Sequence, residues 1–285
     1  MKLKLYKEFG SINSKPIFAA FEEGAIAVGD EIVETYDEAD AVVIWSILFS
    51  GRMRGNKDIW QRANRDKKPI IVLEVGSLLR DTSWRVGLGG INRDARWGIQ
   101  EEVSSKRRAK FNIDLKPWRE GGEFITICTQ RPDSHQWANM VPMEQWLDEN
   151  IRTIQEQTAR PIVIRPHPRD KLTNFKAVHQ KHSNVYFDVP KHLGVSDHYN
   201  FSDILDRSYM VINHSSTPGI ESIINGVPAI VGKNSMAYEM SSDINNINTP
   251  YMPYRDKWFD GLLHTEWFED EIKRGLPWAR LKPFL

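Results

Sequence analysis

The sequence holds a single cysteine in 285 residues, Cys128. It cannot close an internal disulfide and has no metal-ligand spacing around it, so it reads as a small buried hydrophobe in a reducing compartment. No apolar run approaches the roughly 20 residues that span a bilayer, which excludes a helical membrane span. The basic start, Met1-Lys2-Leu3-Lys4-Leu5-Tyr6-Lys7-Glu8, lacks the apolar core and cleavage site of a secretory leader, so a cytoplasmic protein is expected. Also missing are a Gly-x-x-x-x-Gly-Lys-Ser/Thr phosphate loop, a Gly-x-Ser-x-Gly elbow and any zinc spacing. Gly87-Leu-Gly-Gly90 matches a dinucleotide fingerprint only loosely and follows no clean strand.

Net charge is absent too, with 38 Lys and Arg against 38 Asp and Glu. The zero hides a segregated pattern. Residues 50–119 carry 17 basic against 8 acidic side chains, net +9, and the remainder is net −9. Such asymmetry points either to a face that meets an anion or to a solvated basic face.

What is present is ordinary globular usage, 40% hydrophobic and 27% charged, arranged as strand-like apolar runs alternating with helical patterns. Strands are expected at residues 16–21, 31–33, 41–48, 69–75, 124–128, 161–164, 185–189, 209–213 and 228–231. Helices are expected at 22–29, 57–65, 143–157, 174–182 and 219–225. Between 77 and 122 the pattern weakens, as expected of an active-site loop and an interdomain connection. The expected organisation is an α/β protein of two Rossmann-like, parallel-sheet domains, 1–120 and 121–250, with a tail, 251–285, that covers or bridges them.

Three stretches can carry chemistry, each at the carboxyl end of an expected strand, where open α/β sheets bind ligands. Arg165-Pro166-His167-Pro168-Arg169-Asp170 presets a histidine between two prolines, either as a structural turn or as a catalytic group that donates to phosphate oxygens or protonates a leaving group. Asn213-His214-Ser215-Ser216-Thr217-Pro218-Gly219-Ile220-Glu221 places three hydroxyl residues at a helix N-terminus, which suits an anion and exceeds what one N-cap needs. Leu73-Glu74-Val75-Gly76 ends an apolar strand with a carboxylate, which is either a catalytic base or half of a salt bridge to Arg80. Glu22-Glu23-Gly24 is a weaker candidate of the same kind.

In their order, Glu-x-Gly, Arg-Pro-His-Pro, and Ser-Ser-Thr-Pro-Gly-Ile-Glu-Ser followed by Asn-Gly-Val-Pro-Ala-Ile-Val, these motifs resemble the GT-B nucleotide-sugar glycosyltransferases. The nearest branch is that of the capsule Kdo transferases, bacterial sialyltransferases and teichoic-acid glycerophosphotransferases. The resemblance covers about residues 70–231. It implies a GT-B fold with an N-terminal acceptor domain and a C-terminal nucleotide-sugar domain facing across a cleft. It also implies a base at Glu74 and phosphate contacts at His167, Ser215 and Ser216, with Glu221 in a nucleotide or phosphate role. Arg165, His214 and Thr217 join that phosphate-binding set by position. Val75 stands where the family pattern has an acid, so Glu74 replaces that acid or the base lies elsewhere, with Asp81 and Glu23 in reserve.

No Asp-x-Asp triplet is present to hold a metal, which agrees with GT-B chemistry, in which side chains and helix dipoles meet the leaving phosphate. The expected reaction is an inverting, metal-independent transfer from a UDP- or CMP-linked sugar, with no cofactor beyond that co-substrate. For the acceptor, the basic segment, with Arg52, Arg54, Arg80, Arg107 and Arg108, favours an anionic partner. Compact GT-B enzymes that glycosylate hydroxymethylated pyrimidines in bacteriophage duplex DNA fit by analogy. An envelope or capsule glycan is the alternative acceptor. A catalytically retired nucleotide-binding module, suggested by Val75, is the alternative class.

Overall fold

The computed structural model describes residues 1–99, 103–169, 175–193 and 199–285. The chain divides into two compact units. The first comprises Met1–Ile113, Asp133–Gln136 and Lys257–Leu285, and the second Asp114–Pro132 and Trp137–Asp256. The end of the chain from Lys257 is therefore part of the first unit. Among the described residues no helix is long and apolar enough to cross a membrane.

In the first unit the elements run β1 (Lys2–Leu5), α1 (Ser14–Ala27), β2 (Glu31–Ile32), β3 (Ala41–Trp45), α2 (Asn56–Arg65), β4 (Ile70–Val75), β5 (Ser83–Leu88) and α3 (Arg107–Phe111). They build one six-stranded sheet in the order β2-β1-β3-β4-β5, closed by a strand from the end of the chain, β11 (Glu266–Phe268). The first four strands are parallel, while β5 runs antiparallel to β4 and β11 antiparallel to β5. Strand β3 is buried at all five positions, as a central strand covered on both faces must be.

The second unit runs β6 (Phe124–Cys128), α4 (Met143–Gln155), β7 (Ile162–Arg165), α5 (Lys176–His179), β8 (Val185–Phe187), α6 (Ser202–Leu205), β9 (Ser208–Asn213), α7 (Thr217–Ile224) and β10 (Ala229–Val231). Its five strands are all parallel, in the order β8-β7-β6-β9-β10. Counted from β6 this is 3-2-1-4-5, the doubly wound order, and the chain reverses direction across the sheet between β6 and β9. Met143, Leu147, Ile151 and Ile154 of α4 repeat at helical spacing and bury one stripe. The last helices, α8 (Asp256–Leu263), α9 (Glu269–Lys273) and α10 (Leu276–Leu281), flank β11 in the sequence.

Several local expectations change. Residues 16–21 are not a strand but the front of α1. Six apolar residues fit either period, and only the continuation Ile17, Phe18, Phe21, Gly24, Ala25 separates 3.6 from 2. Pro16 sits in the first turn, where its missing N–H costs no helical bond. Gly24 is a packing glycine: a Cβ there would strike the Ile272 carbonyl of α9. The first strand is instead β1, whose lysines and leucines alternate outward and inward. The weak stretch from Ser77 contains β5, and the tail, expected to lack strands, contributes β11. The helix expected over 174–182 shortens to one turn, α5, with Asn174, like Asp170, outside the described residues.

Candidate active site

In the second unit the final rung of the sheet aligns Arg165 of β7, Cys128 of β6, Asn213 of β9 and Val231 of β10. The polar groups just beyond it bond to one another. The His167 backbone N–H donates to Thr129 Oγ1 at 3.0 Å, so β6 fixes the loop after β7. The Arg169 N–H donates to His167 Nδ1 at 3.2 Å, which makes Nδ1 an acceptor and Nε2 the ring's N–H. Asn213, nearly inaccessible, donates through Nδ2 to the Cys128 carbonyl at 3.1 Å and to Ser216 Oγ at 2.9 Å, and accepts the Ser216 N–H at 3.0 Å.

Ser216 is the N-cap residue of α7, with extended backbone, yet its side chain caps nothing. Its oxygen accepts from Asn213, and its hydroxyl donates to no acceptor among the described residues. Thr217 and Pro218 open the helix. Gly219 brings α7 against β10: a Cβ there would lie 2.6 Å from Val231 Cγ1. The result is a helix N-terminus held over the point where the strand order reverses, which suits an anion.

Three other expected phosphate ligands sit differently. The Arg165 guanidinium is buried and joined to Asp188 and to the Asn200 carbonyl, with Phe201 beside it, so within the chain Arg165 anchors the loops beyond β7 and β8. The His214 ring packs edge-on against Trp137, centroids 5.0 Å apart, and covers Gly232, where a Cβ would meet it at 2.6 Å. Glu221 lies one turn into α7, near enough to Cys128 to affect its thiol. Burial pushes that thiol up to about 12, as suits a residue used for packing.

In the first unit Glu74 of β4 faces Arg85 of β5, and Arg85 faces Glu266 of β11, a row of alternating charge across three strands. Glu74 accepts from the Val75 N–H at 2.8 Å and from the Ser46 hydroxyl just beyond β3. Burial pushes its carboxyl above the ordinary carboxylate range, opposed by those two bonds and by Arg85 and Arg80. An acid raised by desolvation at a strand end is the profile of a general base. The alternatives are less apt. Glu23 is paired with Lys273 at 3.3 Å, and Asp81 is exposed and accepts from Asn13 Nδ2 at 3.2 Å.

Gly76, the glycine of Glu-x-Gly, serves Glu266, whose carboxylate occupies the space of its Cβ. That carboxylate is fully buried and accepts from Ser77 N–H at 2.6 Å, Ser77 Oγ at 2.7 Å and Ser83 Oγ at 2.6 Å.

The basic segment is also redistributed. Arg107 donates to Glu271 at 2.9 Å, to the Leu263 carbonyl at 2.9 Å and to the Glu266 carbonyl at 2.6 Å. Arg108 holds Asp260 with two bonds, at 2.6 and 3.0 Å, and Lys110 lies 3.1 Å from Glu271. These two arginines, expected at the acceptor, instead tie α3 to α8 and α9. The +9 of residues 50–119 is met in part by acids some 150 residues later, which no local count of charge shows. Arg80 is exposed and interacts with Glu74, whereas Arg52 and Arg54 are exposed with no carboxylate in ion-pair reach among the described residues.

The sequence reading missed Ser46, Asn56, Thr129 and Gln130. Each is a buried polar residue at or near a strand's carboxyl end. Ser46 interrupts an apolar run and Thr129-Gln130 directly follows one, which was the available signal.

No protein-family model matches the chain, and no curated protein matches it in sequence. Solved structures do resemble it. The β-Kdo 2,7 transferase of KpsC from Thermosulfurimonas dismutans superposes with a TM-score of 0.55 at 15% identity, over 98% of this chain and 100% of that one. The β-Kdo 2,4 transferase of the same protein gives 0.49 at 14% identity, over 94% and 92%. With its two Rossmann-like sheets, the chain has the α/β fold of GT-B glycosyltransferases.

Proposed function

We propose that the chain is a glycosyltransferase moving a sugar from a nucleotide donor, UDP- or CMP-linked, to an acceptor hydroxyl. The observation that carries this is the edge beyond β6, β7 and β9, where His167, Ser216 and the start of α7 offer hydrogen-bond donors at the reversal of strand order. They bind the donor phosphate, and Glu74 serves the acceptor. Its carboxylate takes the hydroxyl proton as the acceptor oxygen attacks the anomeric carbon. The bond from that carbon to the phosphate oxygen breaks, and its electron pair leaves on the nucleotide. A single displacement inverts the anomeric centre.

For the acceptor we favour a saccharide, as in an envelope or capsule glycan. Support comes from the loop after β3, where Phe49, Trp60 and His135 gather with ring centroids 5.3–5.8 Å apart and give apolar ring faces against which a pyranose can stack. Duplex DNA is the weaker reading because Arg107 and Arg108, which suggested it, hold acids of their own chain.

The experiment is a donor panel of UDP-, CMP- and GDP-sugars, CMP-Kdo among them, scored for donor hydrolysis and for transfer to capsule oligosaccharides or to hydroxymethylated duplex, with and without EDTA. Turnover with a glycan in EDTA is expected, and His167→Ala should lower it about tenfold by removing one hydrogen bond to phosphate. Transfer to the duplex alone would reverse the acceptor assignment, and hydrolysis of no donor would remove the enzyme reading.

A further inference from the structure

Gln130 follows β6 at the reversal point and is 4% exposed. Its Oε1 accepts both donors of Ser215, the backbone N–H at 3.1 Å and the hydroxyl at 3.3 Å. That pair fixes the amide's orientation, because a backbone N–H can only donate and a flipped amide would set two N–H groups against each other. The orientation leaves Gln130 Nε2 buried without a hydrogen-bond partner. Asn56 Oδ1, Asn92 Nδ2, Trp97 Nε1 and Arg119 Nε share that condition among the described residues, but only Gln130 is at the carboxyl edge of the second sheet. Leaving such a donor unmet costs folding free energy, which a ligand's acceptor atom would recover.

The same hydrogen bonds change the part played by Ser215. A phosphate oxygen needs donors, and both donors of Ser215 point at Gln130. We propose that Gln130 Nε2 donates to a phosphoryl oxygen of the nucleotide donor, and that Ser215 positions this amide. With Ser216, whose hydroxyl proton is uncommitted among the described residues, and the N-terminus of α7, Gln130 completes a neutral anion site that uses amide and hydroxyl dipoles. The proposal rests on the donor-site reading above and adds its specificity for the phosphoryl group.

The test is calorimetric titration of wild type, Gln130→Glu and Gln130→Ala with CMP, UMP, UDP and GDP and with the matching nucleosides, alongside a melting curve for each protein. The glutamate variant keeps an acceptor for Ser215 and replaces the donor with a negative charge. Wild type should bind at least one nucleotide more tightly than its nucleoside. Both variants should lose about tenfold or more of that nucleotide affinity with nucleoside affinity unchanged. The deficit of Gln130→Glu should also shrink as the pH falls and its carboxyl gains a proton to donate, a recovery that a purely structural role would not give. If Gln130→Glu does not fold, Gln130→Ala carries the comparison. Unchanged nucleotide affinity in a folded variant overturns the assignment of Gln130 and leaves the donor site standing. A wild type that binds no nucleotide overturns both.

Discussion

The carboxyl edges of the two sheets treat their polar groups in opposite ways. In the first sheet, charge is answered by charge or by a dense shell of donors: Glu266 has Ser77, Ser83 and Arg85 around it, and Arg107 has Glu271 and two carbonyls. In the second, the side chains that bond to one another at the reversal point, Asn213, Ser215, Ser216 and Gln130, are neutral, and two of them, Gln130 and Ser216, present donors that nothing among the described residues accepts. Buried groups that are satisfied hold a fold together. Those left short are where a ligand adds most. Glu74 stands between these cases, bonded to Ser46 and Val75 yet with its carboxyl raised by burial.

The largest effect should come from cutting the satisfied network. Glu266→Ala removes a carboxylate that several donors and one guanidinium share, leaving buried Arg85 with only Glu74 across the strand and the Ile91 carbonyl. The expected loss is about 3–5 kcal/mol in denaturant unfolding, enough to unfold much of the first unit. A loss below about 1 kcal/mol would show that the network is not structural, and the contrast between the two edges would fail.

Glu74→Gln separates function from stability in one residue. It should lower transfer about a hundredfold while leaving nucleotide affinity unchanged. Its stability effect has the opposite sign to that of Glu266→Ala. A carboxyl raised in the folded state favours folding when protonated and loses that contribution as the pH rises through the folded value. The variant should therefore melt higher than wild type at about pH 8 and match it near pH 4, where both side chains are uncharged. In the same way, wild-type transfer should fall on acidification at a pH above the ordinary glutamate range. Equal transfer rates would pass the role of base to another acid.

Much of the second unit was legible in the sequence because its strands are short apolar runs followed directly by polar loops. The positions of His167 and of Ser215-Ser216 beyond β7 and β9 came from that pattern alone. The first unit was less so. Lys2–Leu5 reads as a basic start until β3 is seen beside it, and β5 and β11 pair antiparallel across some 180 residues of sequence. Glu74 stood out as a carboxylate ending an apolar strand but Glu266 did not, because a carboxylate's worth depends on what surrounds it. The charge count located a real imbalance and missed its partner: the acids of α8 and α9 are too distant in sequence for any window to contain both.

Arg107→Ala would sharpen that last point. Its guanidinium holds Glu271 and packs over Trp267 at 5.0 Å, so its removal should cost about 2–3 kcal/mol in stability. Donor affinity should not change, since Arg107, Glu271 and Trp267 lie in the first unit and the proposed phosphate site is in the second. A normal melting curve with weakened acceptor binding would return Arg107 to the acceptor set.

The smallest structural effect belongs to Arg52→Glu with Arg54→Glu. Both side chains are exposed on the turn between β3 and α2, and none of the described carboxylates pairs with either, so stability should move by no more than about 0.5 kcal/mol. Their value lies in the contrast with Arg107 and Arg108. Charge that is already neutralised within the chain contributes little to a distant anion, whereas unpaired surface charge contributes to any anion nearby and is weakened by salt. If the acceptor is an acidic glycan, the double reversal should weaken it several-fold at low salt and leave donor hydrolysis at the wild-type rate. For duplex DNA, acceptor affinity would instead fall steeply with salt in wild type, and the reversal would flatten that slope by about one for each phosphate no longer neutralised. Acceptor affinity that neither salt nor the reversal changes would leave recognition to the aromatic faces of Phe49 and Trp60 and make the acceptor a neutral saccharide.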